Sequence, residues 1–169
     1  MAGSRTTTPV AAGRTHPLAY VLAGGLVVGT VDIVFAMTIW DWWADVPGLH
    51  VLQTAASGLL GPASFGGGVR TAALGLVLHF TIALVMAMVF YLAARRRPVL
   101  WRRPMEAGIV YGFLIYGAMY HVLVPLSPAP PGPSAPHWIA LNVVVHVLFI
   151  GLPIALFVRQ GLLQWRGES

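Results

Sequence analysis

The chain has 169 residues, of which 57% are hydrophobic and 9% are charged, whereas an average soluble domain has about 45–50% apolar and about 25% charged residues. Ten basic and five acidic side chains cannot form a polar shell around a soluble core of this size. The composition therefore excludes an ordinary soluble protein and indicates an integral membrane protein. The absence of Cys excludes disulfides, thiolate metal sites and Cys nucleophiles.

The formal net charge of +5 makes nucleic-acid binding the first function class to consider. The placement of the charges argues against it. All ten basic residues are Arg, and five of them lie at positions 95–103, between two apolar runs. Basic residues in such connections set membrane orientation and contact anionic lipid headgroups. The predicted partner is the lipid bilayer, and nucleic acid is not a predicted partner.

The hydropathy pattern predicts an all-α membrane domain over residues 18–158, between polar tails at 1–17 and 159–169. A helix needs about 20 apolar residues to cross the hydrocarbon layer. Four runs have this length, which predicts a bundle of four transmembrane helices. The predicted crossings are residues 18–40, 71–94, 107–126 and 138–158.

The connection at residues 41–70 contains an apolar stretch of its own, LHVLQTAASGLLG. It is too short to span, so we expect either an interfacial helix in the headgroups or a re-entrant helix that lines a cavity. Gly66, Gly67 and Gly68 supply a hinge before the second crossing. Ser57 and Ser64 lie here without a nucleophile-elbow pattern, so the sequence favours a protein that is not an enzyme.

The Arg distribution predicts the orientation of the chain. The N-terminal tail, residues 95–104 and the C-terminal tail hold two, five and two of the ten Arg residues. Because positively charged connections stay in the cytoplasm, we expect both termini to be cytoplasmic. The connections at 41–70 and 127–137 would then face outward.

Each predicted crossing contains one ionisable side chain, namely Asp32, His79, His121 or His146. Such groups cost about 2.5–3.5 kcal/mol in a bilayer even on the lenient insertion scale for Asp, so each needs a reason. With 1.5 Å per residue, Asp32, His79 and His146 lie about 12 Å and His121 about 6 Å below the outer boundary. Small residues share their helix faces, as Gly25 and Gly29 do for Asp32. We therefore expect the four side chains to converge in the outer half of the bundle.

Several functions fit this convergence. In the first, Asp32, His79, His121 and His146 bind a divalent transition metal such as Zn²⁺ or a small ligand. In the second, the protein is a structural or accessory subunit whose Asp and His residues only fix helix pairing. Its Gly25 and Gly29 face would then bind a partner helix or a second copy of the chain. In the third, His79 and His146 hold a haem between facing helices.

Proton-linked transport is less favoured by the sequence, because the predicted inner half of the bundle lacks ionisable side chains in three of the crossings. The stretches without ionisable side chains are residues 20–28, 83–94 and 149–158. We therefore expect a cavity that opens outward only.

The order of features after residue 70 carries a family resemblance. His79 is followed by an Arg-rich turn, by HVLVPL at residues 121–126, by a Pro-rich connection and by His146. In this order the chain resembles the YagU-type bacterial inner-membrane proteins over residues 70–160. The resemblance implies a small polytopic protein of a bacterial cytoplasmic membrane and implies no reaction.

Overall fold

The computed structural model describes residues 16–132 and 134–168. Most of the predicted N-terminal tail, residues 1–15, lies outside this described part. Within it the chain is helical and contains no strand. The α-helices are α1 (Pro17–Ala44), α2 (Gly48–Leu60), α3 (Gly68–Arg96), α4 (Pro98–Arg102), α5 (Pro104–Ala118), α6 (Pro136–Val145) and α7 (Leu152–Arg166). A 3₁₀ segment (Gly61–Gly66) follows α2, and π-helical segments follow α5 (Met119–Leu123) and α6 (His146–Gly151).

Three helices of the described residues are long and apolar enough to cross a membrane. They are α1, α3 and the continuous helix Pro136–Arg166, which joins α6, its π segment and α7. They contain the predicted crossings 18–40, 71–94 and 138–158. The predicted crossing 107–126 corresponds to α5, with 15 residues, and the following π segment, with 5 residues. This stretch is helical, and its passage through the membrane stays a prediction.

Helix α1 packs against α3 and α7, and α5 packs against α7 and the His146–Gly151 segment. The buried core contains residues such as Val28, Phe90, Ile154 and Val158. Large apolar side chains also cover the outside of the helices, including Val77, which is 63% exposed. An apolar exterior of this kind is what a helical bundle in lipid requires.

Prolines explain the two π segments. Pro125 and Pro153 each lie two residues after the end of a π segment. A proline ring clashes with the carbonyl four residues earlier and cannot donate an N–H, so the preceding turn widens. The N–H of Val124 accordingly bonds to the carbonyl of Met119 at 2.9 Å, five residues back.

The two ends of the bundle differ in chemistry. At one end, which we call the Trp-rich end, the rings of Trp40 and Trp138 stack at 4.9 Å, and Trp43 packs edge-on against Trp138 at 5.6 Å. At the other end, which we call the Arg-rich end, lie Arg95 and Arg166. Aromatic and basic belts of this kind mark membrane–water boundaries.

The connection between α1 and α3 is ordered by α2. The apolar stretch predicted to form a short helix does so, and α2 packs lengthwise against α3. Gly75 of α3 lies directly against the backbone of Leu52 in α2, which is possible because glycine has no Cβ. Gly68 has a φ of 58°, in the left-handed region that suits glycine, and the chain turns into α3 there.

Candidate functional site

Three of the four predicted site residues lie together toward the Trp-rich half of the bundle. Asp32 of α1 is within electrostatic reach of the imidazoles of His79, on α3, and His146, at the start of the π segment after α6. Asp32 and His79 are half-buried, and His146 is only 9% exposed. The fold thus joins one carboxylate and two imidazoles from three different long helices. We call these residues the Asp32 cluster.

His79 connects α3 to α1. Its Nε2 lies 2.8 Å from the carbonyl oxygen of Gly29. A carbonyl only accepts, so Nε2 carries the proton and donates. The helices approach this closely because Gly29 has no side chain; a Cβ there would lie 2.9 Å from the Phe80 ring. The Nδ1 atom of a neutral His79 is then left as an acceptor.

His146 is fixed within its own helix. Its Nδ1 donates to the carbonyl oxygen of Asn142 at 2.8 Å, which leaves Nε2 as the acceptor of a neutral ring. The imidazole packs edge-on against the rings of Tyr116 and Tyr120 at centroid distances of 5.7 and 6.0 Å. Both imidazoles of the cluster therefore direct their hydrogen bond to a backbone carbonyl and not to Asp32.

Tyr120 and Asn142 extend the Asp32 cluster. The Tyr120 hydroxyl donates to Oδ1 of Asn142 at 2.8 Å, and Nδ2 of Asn142 donates to the Trp138 carbonyl at 2.9 Å. Tyr120 is also within electrostatic reach of Asp32. Neither Tyr120 nor Asn142 is among the site residues predicted from the sequence. The spacing of Asn142 and His146, one helical turn apart, was the available signal.

His121 is placed differently from the other three. It is exposed, and its ring contacts the edge of Tyr116 at 6.0 Å. Within residues 16–132 and 134–168, no three or more His, Asp or Glu side chains are arranged as ligands of a metal ion. The structure thus brings Asp32, His79 and His146 into one neighbourhood without a preformed coordination sphere.

Two cavities of the described residues lie away from the Asp32 cluster. Their volumes are about 540 and 380 Å³, and neither is lined by His79 or His146. A haem between these two imidazoles would need a large flat space, and His146 is instead packed by Tyr116 and Tyr120.

The polar residues of the connection between α1 and α3 form a separate network. Nε2 of Gln53 donates to the Gly68 carbonyl at 3.1 Å, and the Thr71 hydroxyl donates to the Ser64 carbonyl at 2.6 Å. The Ser57 hydroxyl donates to the Thr54 carbonyl at 2.6 Å. The bonds of Gln53 and Thr71 hold α2 and the 3₁₀ segment against α3, whereas the Ser57 bond lies within α2. None of the three activates a serine.

Comparison with known proteins gives no match. No protein-family model, no curated protein and no solved structure is detectably similar to this chain. The geometry of the Asp32 cluster is therefore the basis for a proposed function.

Proposed function

We propose that this chain is a four-crossing protein of a bacterial cytoplasmic membrane, with both termini in the cytoplasm, that binds a small cation at Asp32 in the outer half of the bundle. Asp32 supplies the negative charge, and His79 and His146 supply neutral nitrogen donors. A divalent transition metal such as Zn²⁺ is the cation that suits one carboxylate and imidazoles without sulfur. The resemblance to YagU-type proteins agrees with the proposed location.

One observation carries this proposal. The carboxylate of Asp32 lies within electrostatic reach of two imidazoles, whose hydrogen bonds go to the carbonyls of Gly29 and Asn142. A carboxylate in hydrocarbon is costly unless a cation or a donor compensates it. The backbone bonds also set the tautomer of both imidazoles, as hydrogen bonds to the second ring nitrogen do for ligating histidines in metal sites. Binding would require side-chain rotation, because no coordination sphere is preformed.

The experiment compares Zn²⁺ binding with stability. The protein is purified in mild detergent without chelator, its metal content is measured by mass spectrometry, and Zn²⁺ is titrated calorimetrically. We expect Asp32→Asn and His79→Ala/His146→Ala to lose at least about tenfold in Zn²⁺ affinity. His121→Ala is the matched control and should bind as the wild type does. Wild-type protein that neither contains nor binds a divalent metal would refute the proposal, and an absorption spectrum tests for haem in the same sample.

A second candidate function is a structural or accessory subunit, in which the Asp32 cluster only pairs helices. The interhelical bond from His79 to Gly29, at 2.8 Å, favours it. In that case Asp32→Asn and His79→Ala would lower the thermal unfolding temperature in detergent while the wild type binds no metal. The Gly25 and Gly29 faces are packed against Leu84 and Phe80 of α3 in the same chain, so a partner for such a subunit would bind elsewhere or displace α3.

A further inference from the structure

The larger cavity lies at the Arg-rich end, where α1 begins and α3 and α7 end. It has a volume of about 540 Å³. Its lining includes His16, which caps the start of α1, and Leu18 of α1, and α3 contributes Leu92 and Arg95. This end lies about 24 Å along α3 from His79, so the cavity is separate from the Asp32 cluster.

The lining of the cavity combines cationic and apolar side chains. Arg95 and Arg166 line it together with Leu162 and Trp165, and none of the described Asp or Glu side chains lines it. An anion would therefore meet two guanidinium groups without a competing carboxylate. The apolar part of the lining would contact a hydrocarbon chain.

Aromatic rings hold the arginines in place. The guanidinium of Arg95 lies 5.5 Å from the centre of the Tyr91 ring, and that of Arg166 lies 5.1 Å from the centre of the Trp101 ring. Arg102 covers the same Trp101 ring at 5.3 Å. A guanidinium stacked on a ring retains N–H donors at its edge for a phosphate. Trp101 itself is 3% exposed, so it forms a rigid base for two of the three arginines.

From this geometry we infer that the cavity binds one anionic phospholipid, with its phosphate between Arg95 and Arg166 and an acyl chain along Leu18 and Leu92. Helices α1 and α3 meet the membrane boundary at this level, where headgroups lie. A free phosphate would use the arginines but not the apolar lining. The combination of the two favours a lipid.

Native mass spectrometry of the full chain in mild detergent tests the inference, with phosphatidylglycerol, phosphatidylcholine and inorganic phosphate as probes. We expect the wild type to bind one phosphatidylglycerol about tenfold more tightly than phosphatidylcholine. Arg95→Gln/Arg166→Gln should abolish this preference. Arg96→Gln/Arg97→Gln removes two exposed charges at the same end and should preserve it. Equal loss in both double variants would show diffuse attraction and overturn the site.

Leu92→Trp provides a test that keeps both arginines. It fills the apolar part of the cavity, so we expect it to lose phosphatidylglycerol binding while far-ultraviolet circular dichroism and the unfolding temperature stay unchanged. Wild-type lipid affinity in Leu92→Trp, or displacement of the lipid by millimolar inorganic phosphate, would show that the site recognises phosphate alone and would overturn the lipid assignment.

Discussion

Asp32 is a carboxylate within a long apolar helix, where a charge is costly unless other groups compensate it. Its neighbours His79 and His146 come from helices that are distant in sequence, and the sequence predicted their meeting from depth and from small residues on shared faces. His121 shows where that argument stops. Depth gives the level of a side chain in the membrane, but its direction depends on the turn that carries it, and the π segment Met119–Leu123 leaves His121 exposed.

Tyr120 offers a prediction at the same scale. Tyr120→Phe removes the hydroxyl that donates to Asn142. We expect a loss of about 0.6 kcal/mol in the free energy of unfolding, the average for interhelical hydrogen bonds in membranes, and at most about 1.7 kcal/mol. Tyr116→Phe is the matched control, because Tyr116 contributes its ring to the same stack at 4.9 Å. Unfolding by denaturing detergent measures both variants. Equal stability of the two would show that the Tyr120–Asn142 bond contributes nothing.

At the scale of the helices, the sequence predicted the extents of α1, α3 and Pro136–Arg166 to within a few residues at most ends, because apolar runs bounded by Arg and Pro leave few alternatives. It also predicted a short helix before the glycine run. It did not predict the π segments. Pro125 and Pro153 are positions where a helix can change course, but a proline permits a kink, a stop or a widened turn, and packing against neighbours selects among them.

Pro153 therefore gives a prediction about the position of His146. In Pro153→Ala the new N–H can bond to the carbonyl four residues back, so we expect the His146–Gly151 segment to tighten toward an α-helix. His146 would rotate relative to Asp32, and Zn²⁺ affinity should fall about tenfold. Pro136→Ala, at the start of the same helix, is the control. Equal Zn²⁺ affinities of both variants in a calorimetric titration would show that the π segment does not determine binding at the Asp32 cluster.

The contact between α5 and the π segment gives another prediction. A Cβ on Gly112 would lie 2.5 Å from the Cα of Val147, and one on Gly108 would lie 2.8 Å from the Cα of Leu152. These neighbours are backbone atoms and cannot move aside, so we expect Gly112→Ala to destabilise the fold by about 1–3 kcal/mol. Gly117→Ala on the same helical stretch meets nothing within 4 Å and should be neutral in the same unfolding assay. A neutral Gly112→Ala would mean that α5 is not packed there in the membrane.

At the scale of the whole molecule, the two ends have different chemistry, and the proposed sites follow this division. The cluster proposed to bind a cation lies toward the Trp-rich end, and the cavity proposed to bind a phospholipid lies at the Arg-rich end. The Arg counts predict a cytoplasmic Arg-rich end. The two proposals and the topology are then linked, because the cation would enter from outside and the lipid from the cytoplasmic leaflet.

The number of crossings can be tested directly, because the chain contains no Cys and single Cys substitutions give a clean background. We expect Arg97→Cys and Glu168→Cys to react with a membrane-impermeant maleimide only after permeabilisation, since four crossings return the C-terminus to the cytoplasmic side. Ser134→Cys, in the connection before α6, should react in intact cells. If α5 and its π segment lay on the surface and did not cross, Ser134 would share the side of Arg97, and Glu168 would lie on the opposite side. Ser134→Cys would then react only after permeabilisation, and Glu168→Cys would react in intact cells. The labelling pattern therefore distinguishes three crossings from four without further assumptions about the sites.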